Sequence, residues 1–351
     1  MASFRRHIFF CHGFDRRGPR FFHLWQQREA RRHASRFGTE INIGPRTGET
    51  WTITSPTART TFTFCDWSDI VANRFDQPAM TTAYDHVRLG WAALRQGFFT
   101  KILRRDWALG LLLAWGFAPF FAALTAALIL AFVAPAWLLA IPPAYIATIA
   151  LAGKYDARLG MAYIAHIAWA ARRLARQDDA RIEALISRYK DVIDATDADE
   201  VLIIGHSIGA ALAVRIAGEA AHPTSILTLG QSIPLVALQK EATAIRANMT
   251  SLTPDRWIDV SARKDMLGFL AHDPSEGHAA CITINLKRAF GEARVRALRW
   301  KGFAMHFLYF HANTAPAPWD WLTLISGNNT LQETFKGAKR RPGMGERRLL
   351  F

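Results

Sequence analysis

The chain has 351 residues, half of them hydrophobic, with 43 Lys and Arg against 29 Asp and Glu and a formal net charge of +14. That length fits one large domain or two small ones, supplies a substantial core, and pairs with a charge that points to an anionic contact: lipid headgroups, a nucleic acid or an acidic substrate. Its three cysteines, Cys11, Cys65 and Cys281, form no C-x-x-C pair, which argues against a disulfide framework or a zinc site and for free thiols in a reducing compartment.

The N-terminal stretch MASFRRHIFFCHGF sets basic residues before an apolar run of about five, short of the 7–15 of a signal-peptide core, so no secretory signal is expected. HIFFCHGF predicts a short strand ending at Gly13. GPRFFHLWQQREARRHASRFG predicts a helix, with Pro19 in its first turn, aromatics and arginines on opposite faces, and Gly38 as its stop. INIGPRTGETWTITS predicts two short strands around a glycine-containing turn, and RTTFTFCDWSD a further strand. AYDHVRLGWAALRQGFFTKILRR is amphipathic and helical.

From Trp107 to Gly153 no Asp, Glu, Lys or Arg occurs. The segment is about 47 residues long where one bilayer crossing needs about 20. Two crossings fit, with a short turn near AFVAPAW; Pro119, Pro142 and Pro143 are tolerable in such helices. Lys101, Arg104 and Arg105 precede the segment, and Lys154 and Arg158 follow it. The positive-inside rule then puts both ends on the cytoplasmic side, as a hairpin. A buried hairpin of a soluble core and a re-entrant pair are the alternatives.

ARLGMAYIAHIAWAARRLARQ and ARIEALISRYKDVIDA predict helices. Beyond them EVLIIGH, IGAALAVRIAGEAA, SILTLGQSI, EATAIRANM and RWIDVSA alternate strand with helix. The alternation predicts an α/β class with a mostly parallel sheet and helices on both faces. The tail, residues 336–351, is basic and expected to be mobile or laid on a membrane surface. The expected organisation is residues 1–100 and 154–335 forming one domain, with 101–153 inserted as the hairpin.

Gly205-His206-Ser207-Ile208-Gly209 stands where the run VLII gives way to AALAVRIAG. G-x-S-x-G between strand and helix is a nucleophile-elbow pattern. The turn is so tight that side chains at Gly205 and Gly209 would collide with strand or helix, and the serine is left strained with its hydroxyl exposed. The helix start adds positive potential and a free amide, from Ile208, for a developing oxyanion. No G-K-[ST] follows, so a phosphate loop is disfavoured.

With these motifs the chain resembles an α/β-hydrolase of the esterase and lipase kind. The resemblance covers HIFFCHGFD and the stretch from Val201 to about Gly327; the apolar hairpin looks like an insertion. It implies that His12-Gly13 opens an oxyanion loop whose second amide belongs to Phe14. It implies an acid just past RWIDVSA, which selects Asp265 over Asp259, with Asp273 and Glu276 more distant. It implies a base after the acid: His306, followed three residues on by Tyr309, with His311 as runner-up and His272 and His278 too early. A serine needs such a base, and the base needs an orienting partner. The implied function is a membrane-anchored serine esterase or lipase acting on lipid or acyl esters through Ser207, His306 and Asp265. An acyltransferase or thioesterase on the same fold, or an inactive membrane scaffold, are the other classes. No metal or organic cofactor is implied, and nucleic-acid binding is not expected because no recognised motif appears.

Overall fold

The computed structural model describes residues 3–253, 255–269, 273–274 and 277–337. Among them lie eight strands: β1 (Phe4–Cys11), β2 (Asn42–Ile43), β3 (Thr50–Thr54), β4 (Ala58–Cys65), β5 (Glu200–His206), β6 (Ser225–Leu229), β7 (Trp257–Ala262) and β8 (Ala280–Ile284). They form one mixed sheet in the order β2-β3-β4-β1-β5-β6-β7-β8. Only β3 runs against its neighbours; the pairings from β4 through β8 are all parallel. Strands from both sides of the inserted segment thus enter a single sheet. No sequence expectation covers β8; its five residues follow a polar loop and carry too short a pattern to stand out.

Every residue of β5 is buried, as expected of a parallel strand covered on both faces. Its side chains alternate between two cores. Ile203 joins Phe9, Cys11 and Ile226 on one face, and Leu202 and Ile204 join Ile8, Phe10 and Leu227 on the other. Each such aliphatic side chain contributes roughly 1.5–3 kcal/mol by leaving water. The second core is capped by α1 (Pro19–Phe37) and the later helix Trp321–Ser326. At the far end of β1 and β5, Arg6 Nε donates to Glu200 Oε2 at 2.6 Å. The same guanidinium donates to the carbonyls of Leu324 and Gly327, pinning the C-terminal segment to the sheet.

Between β4 and β5 the chain is helical: α2 (Ser68–Phe75), α3 (Ala79–Arg95), α4 (Phe98–Arg105), α5 (Trp107–Gly116), α6 (Ala118–Val133), a 3-10 turn (Pro135–Ala140), α7 (Ile141–Lys154), α8 (Asp156–Leu159), α9 (Met161–Arg176) and α10 (Ala180–Asp194). After β5 comes α11 (Gly209–Glu219), and α9, α10 and α11 cover the first core.

The charge-free segment differs in detail from two plain crossings. Pro135–Lys154 is one helix long and apolar enough to cross a membrane, and little of it is buried inside the protein. Upstream, α5 and α6 meet at a 66° bend. The bend has a local cause. Pro119 has no N–H to extend the helical ladder, and Gly116 is pressed so close to α9 that a Cβ there would stand 2.5 Å from Ile164 Cγ2.

Candidate active site

The order of strands decides where the chemistry-bearing residues meet. β1 has β4 on one side and β5 on the other, so successive connections leave β1 in opposite directions. In open parallel sheets the crevice beyond the carboxyl ends at such a switch point is the usual ligand site. Cys11 is in register with Gly205, and His206 with Leu229. Residues 12–14, 206–208 and 230 therefore come together without any long-range folding beyond strand pairing.

Ser207 follows β5 with φ of +56°, a left-handed conformation that costs a non-glycine residue about 1–2 kcal/mol. The turn is held because α11 folds directly back over β5. A Cβ at Gly205 would lie 2.5 Å from Ala210 Cα, and one at Gly209 would run into the carbonyl oxygens of Cys11 and His12. The Ser207 amide donates to Leu229 O at 3.0 Å and its carbonyl accepts from Ser232 N at 3.1 Å. The elbow is thus clamped to the end of β6.

Gly13 stands against the elbow: its built Cβ would be 3.0 Å from Ser207 Cβ. The amides of Phe14 and Ile208, the residues that follow Gly13 and Ser207, have no acceptor among the described residues. The loop that carries Phe14 is tied down. Tyr163 Oη donates to Phe14 O at 3.0 Å, and the buried Asp15 carboxylate accepts from Arg17 N at 2.9 Å and Arg17 Nε at 2.8 Å. His12 is wholly buried, and desolvation pulls its imidazole down to about 4, so it stays neutral. His12 O accepts from Trp67 Nε1 at 3.0 Å.

Asp265 lies in the loop beyond β7, and His306 ends the short helix Gly302–His306. Both are buried. His306 Nδ1 is 2.8 Å from each carboxylate oxygen of Asp265. The same carboxylate accepts from Tyr309 Oη at 2.9 Å and from Leu267 N at 3.0 Å. Burial, then the facing Asp265, push the Tyr309 hydroxyl well above its ordinary range, so it remains a donor. With Nδ1–H given to Asp265, the free lone pair of the ring belongs to Nε2. That nitrogen is buried with no hydrogen-bond partner among the described residues, the Ser207 hydroxyl included.

His206, the residue inside the G-x-S pattern, has a role the motif does not announce. Its ring centroid is 4.3 Å from that of His306, and its Nε2 is 3.2 Å from the His306 carbonyl oxygen. Burial, then the neighbouring His306, hold it well below its usual range and keep it neutral. Gly230 is the second unannounced member. A Cβ there would stand 2.9 Å from His306 Cε1 and 2.6 Å from Asp265 Oδ2. The only sequence signal for it is a glycine directly after a strand.

The rival residues are engaged elsewhere. Asp259 is fully buried inside β7, not facing solvent, and accepts from Thr228 Oγ1 at 2.8 Å. His311 meets Arg294 at 2.8 Å and lies 3.6 Å from Glu29. Asp273 accepts from Gly277 N at 2.8 Å, and His278 is half-buried. His272, Glu276 and the tail from residue 338 lie outside the described residues. Among the described residues no group of three or more His, Cys, Asp or Glu is placed to hold a metal ion. Met266, next in sequence to Asp265, and Trp300 and Phe303, shortly before His306, expose 53, 82 and 40% of their surface. Arg17 lies 5.3 Å from the centroid of Phe303 and 4.6 Å from that of Phe307. No family model matches this chain, and no curated protein or solved structure matches it either.

Proposed function

We propose that this protein is a membrane-anchored serine hydrolase of the α/β-hydrolase kind, cleaving lipid or other acyl esters. One observation carries the reading: a left-handed serine on a strand-to-helix turn, at the same sheet edge as a buried His–Asp pair whose second imidazole nitrogen is unused. The α/β architecture with its mostly parallel sheet is compatible with that fold.

In this reading Ser207 Oγ attacks the ester carbonyl carbon while His306 Nε2 takes its proton. The carbonyl oxygen becomes an oxyanion held by the Phe14 and Ile208 amides, a pair worth several kcal/mol at the transition state. The C–O bond to the alcohol then breaks, and the imidazolium returns the proton to the leaving oxygen. Water repeats the sequence on the acyl-serine and frees the acid. Asp265 fixes the imidazole tautomer and steadies its charged form. The Ser207–His306 hydrogen bond forms when substrate closes the site, as such contacts often tighten only in the complex.

Support for membrane anchoring is compositional. Pro135–Lys154 is apolar and mostly unburied, unlike a core helix, and it lies far from the N-terminus, unlike a signal sequence. Its 20 residues make about 30 Å of helix, the thickness of a hydrocarbon core. The flanking basic residues favour a cytoplasmic hydrolase domain. Phe303, exposed and 4.8 Å ring to ring from Phe307, sets an apolar surface near His306 that suits an acyl substrate.

The test is direct. Wild type is expected to hydrolyse short acyl esters and to label with a fluorophosphonate, and Ser207→Ala to do neither. Unchanged hydrolysis by Ser207→Ala would end the proposal. Adding an acceptor alcohol or thiol separates hydrolysis from transfer.

A further inference from the structure

Helix α3 carries apolar residues on two faces. Ala83, His86 and Gly90 are buried against its neighbours, while Met80, Tyr84, Val87, Trp91 and Leu94, spaced four, three, four and three, expose 68, 62, 43, 52 and 38%. An amphipathic helix of a water-soluble protein turns one apolar stripe inward and leaves the rest polar. The outward stripe is continuous with the apolar hairpin. The first half of α3, α6 and α7 together enclose an open slot of about 410 Å³, walled by Met80, Tyr84, Val87, Phe120, Ala123 and Tyr145 among others. That volume lies within the range of about 300–1,000 Å³ typical of ligand sites. Its walls are almost wholly apolar, because the Tyr145 hydroxyl is turned to His86 Nδ1 at 2.6 Å.

A cation stands beyond the Tyr84 wall of the slot, in an adjoining polar groove that it shares with Asp85, Trp91 and Arg95. Arg88 lies 5.4 Å from the centroid of the Tyr84 ring and has no carboxylate partner among the described residues. The nearest acid on its helix, Asp85, is taken by Arg74 at 2.6 Å. Exposed Trp91 and Arg95 follow one and two turns on. Tryptophan and arginine beside an apolar face are the residues of a membrane–water boundary.

We propose that this slot holds one acyl chain of an anionic bilayer phospholipid, with the lipid phosphate at Arg88. The proposal rests on the membrane reading above but not on the hydrolase chemistry.

The experiment uses the full chain in vesicles of phosphatidylcholine and phosphatidylglycerol. The probe is a non-hydrolysable, ether-linked phosphatidylglycerol with a diazirine on its chain. Photolabelling is expected to concentrate on residues 80–87, 120–124 and 141–146. Filling the slot with Val87→Trp, at an exposed position that leaves folding intact, or with Ala123→Phe, is expected to lower that labelling at least five-fold. Arg88→Glu is expected to remove the preference over the matched phosphatidylcholine probe. Flotation with the vesicles is read in parallel. Protein that floats but labels evenly along the hairpin, whatever fills the slot, overturns this site alone. Protein that does not float overturns the membrane reading with it.

Discussion

Gly230 and Asp265 are packed so closely that the smallest side chain at position 230 would stand 2.6 Å from Asp265 Oδ2. Gly230 also has a φ of +49°. The carboxylate that orients His306 is therefore held in place by the absence of a side chain on the neighbouring strand end. Gly230→Ala adds left-handed strain of roughly 1–2 kcal/mol and pushes the carboxylate off Nδ1. Ester hydrolysis by Gly230→Ala is expected to fall at least 100-fold in kcat, with a lowered Tm by differential scanning fluorimetry. Retained kcat would mean that the His–Asp contact is dispensable.

Ser207 stores strain in the same way. Relief of its left-handed backbone by glycine, about 1–2 kcal/mol, is partly offset by glycine's extra unfolded-state entropy of about 0.5–1 kcal/mol. Ser207→Gly is thus expected to unfold at higher denaturant, by up to about 1.5 kcal/mol, while losing all esterase activity. Equilibrium unfolding of both proteins in the same detergent checks this. A destabilised Ser207→Gly would show that the serine hydroxyl is structural.

Acid should weaken the fold through the buried histidines of the site. His12 and His206 are buried and held neutral, His12 at about 4 against an ordinary 6.5. Below about pH 6.5 the unfolded chain binds protons that the folded chain refuses, so stability is full above that pH and falls through the window beneath it. Each group contributes a slope of up to about 1.4 kcal/mol per pH unit. Urea unfolding at pH 7.5, 6 and 5 is expected to show the decline, and His206→Gln a shallower one. Equal slopes in both proteins would refute the assignment to His206.

The hairpin makes its own prediction. Ala144 and Ala147 lie near the middle of the Pro135–Lys154 helix and are exposed. An aspartate at the centre of a membrane-spanning helix costs about 2.5–3.5 kcal/mol. Ala144→Asp with Ala147→Asp is expected to shift the protein from the membrane to the soluble fraction. Leu24→Asp, on α1 and half-exposed, should leave the partition unchanged. A double variant that still sediments with membranes would count against insertion.

Much of this molecule is written locally. The run VLII before Ser207, the glycines around it and the alanine-rich helix after it are neighbours in sequence, so strand, turn and helix are fixed by steric rules acting over a few residues. The charge-free segment from Trp107 to Gly153 is equally plain, because hydropathy needs no partner to be read. The 66° bend before α6 is less so: Pro119 marks a weak point, but the direction of the break depends on Gly116 lying against Ile164.

The rest was decided in three dimensions. Asp259 and Asp265 are six positions apart and chemically identical; only the strand order places Asp265 beside His306 and gives Asp259 to Thr228. His306 and His311 share one segment, yet the turn between them sends His311 to Arg294 and Glu29. The roles of His206 and Gly230, and the exposed stripe of α3, likewise exist only once β1, β5 and β6 align and the hairpin folds back on α3. Short-range sterics and hydropathy are properties of a residue and its neighbours along the chain. Who meets whom across a sheet depends on register and packing, which belong to the whole.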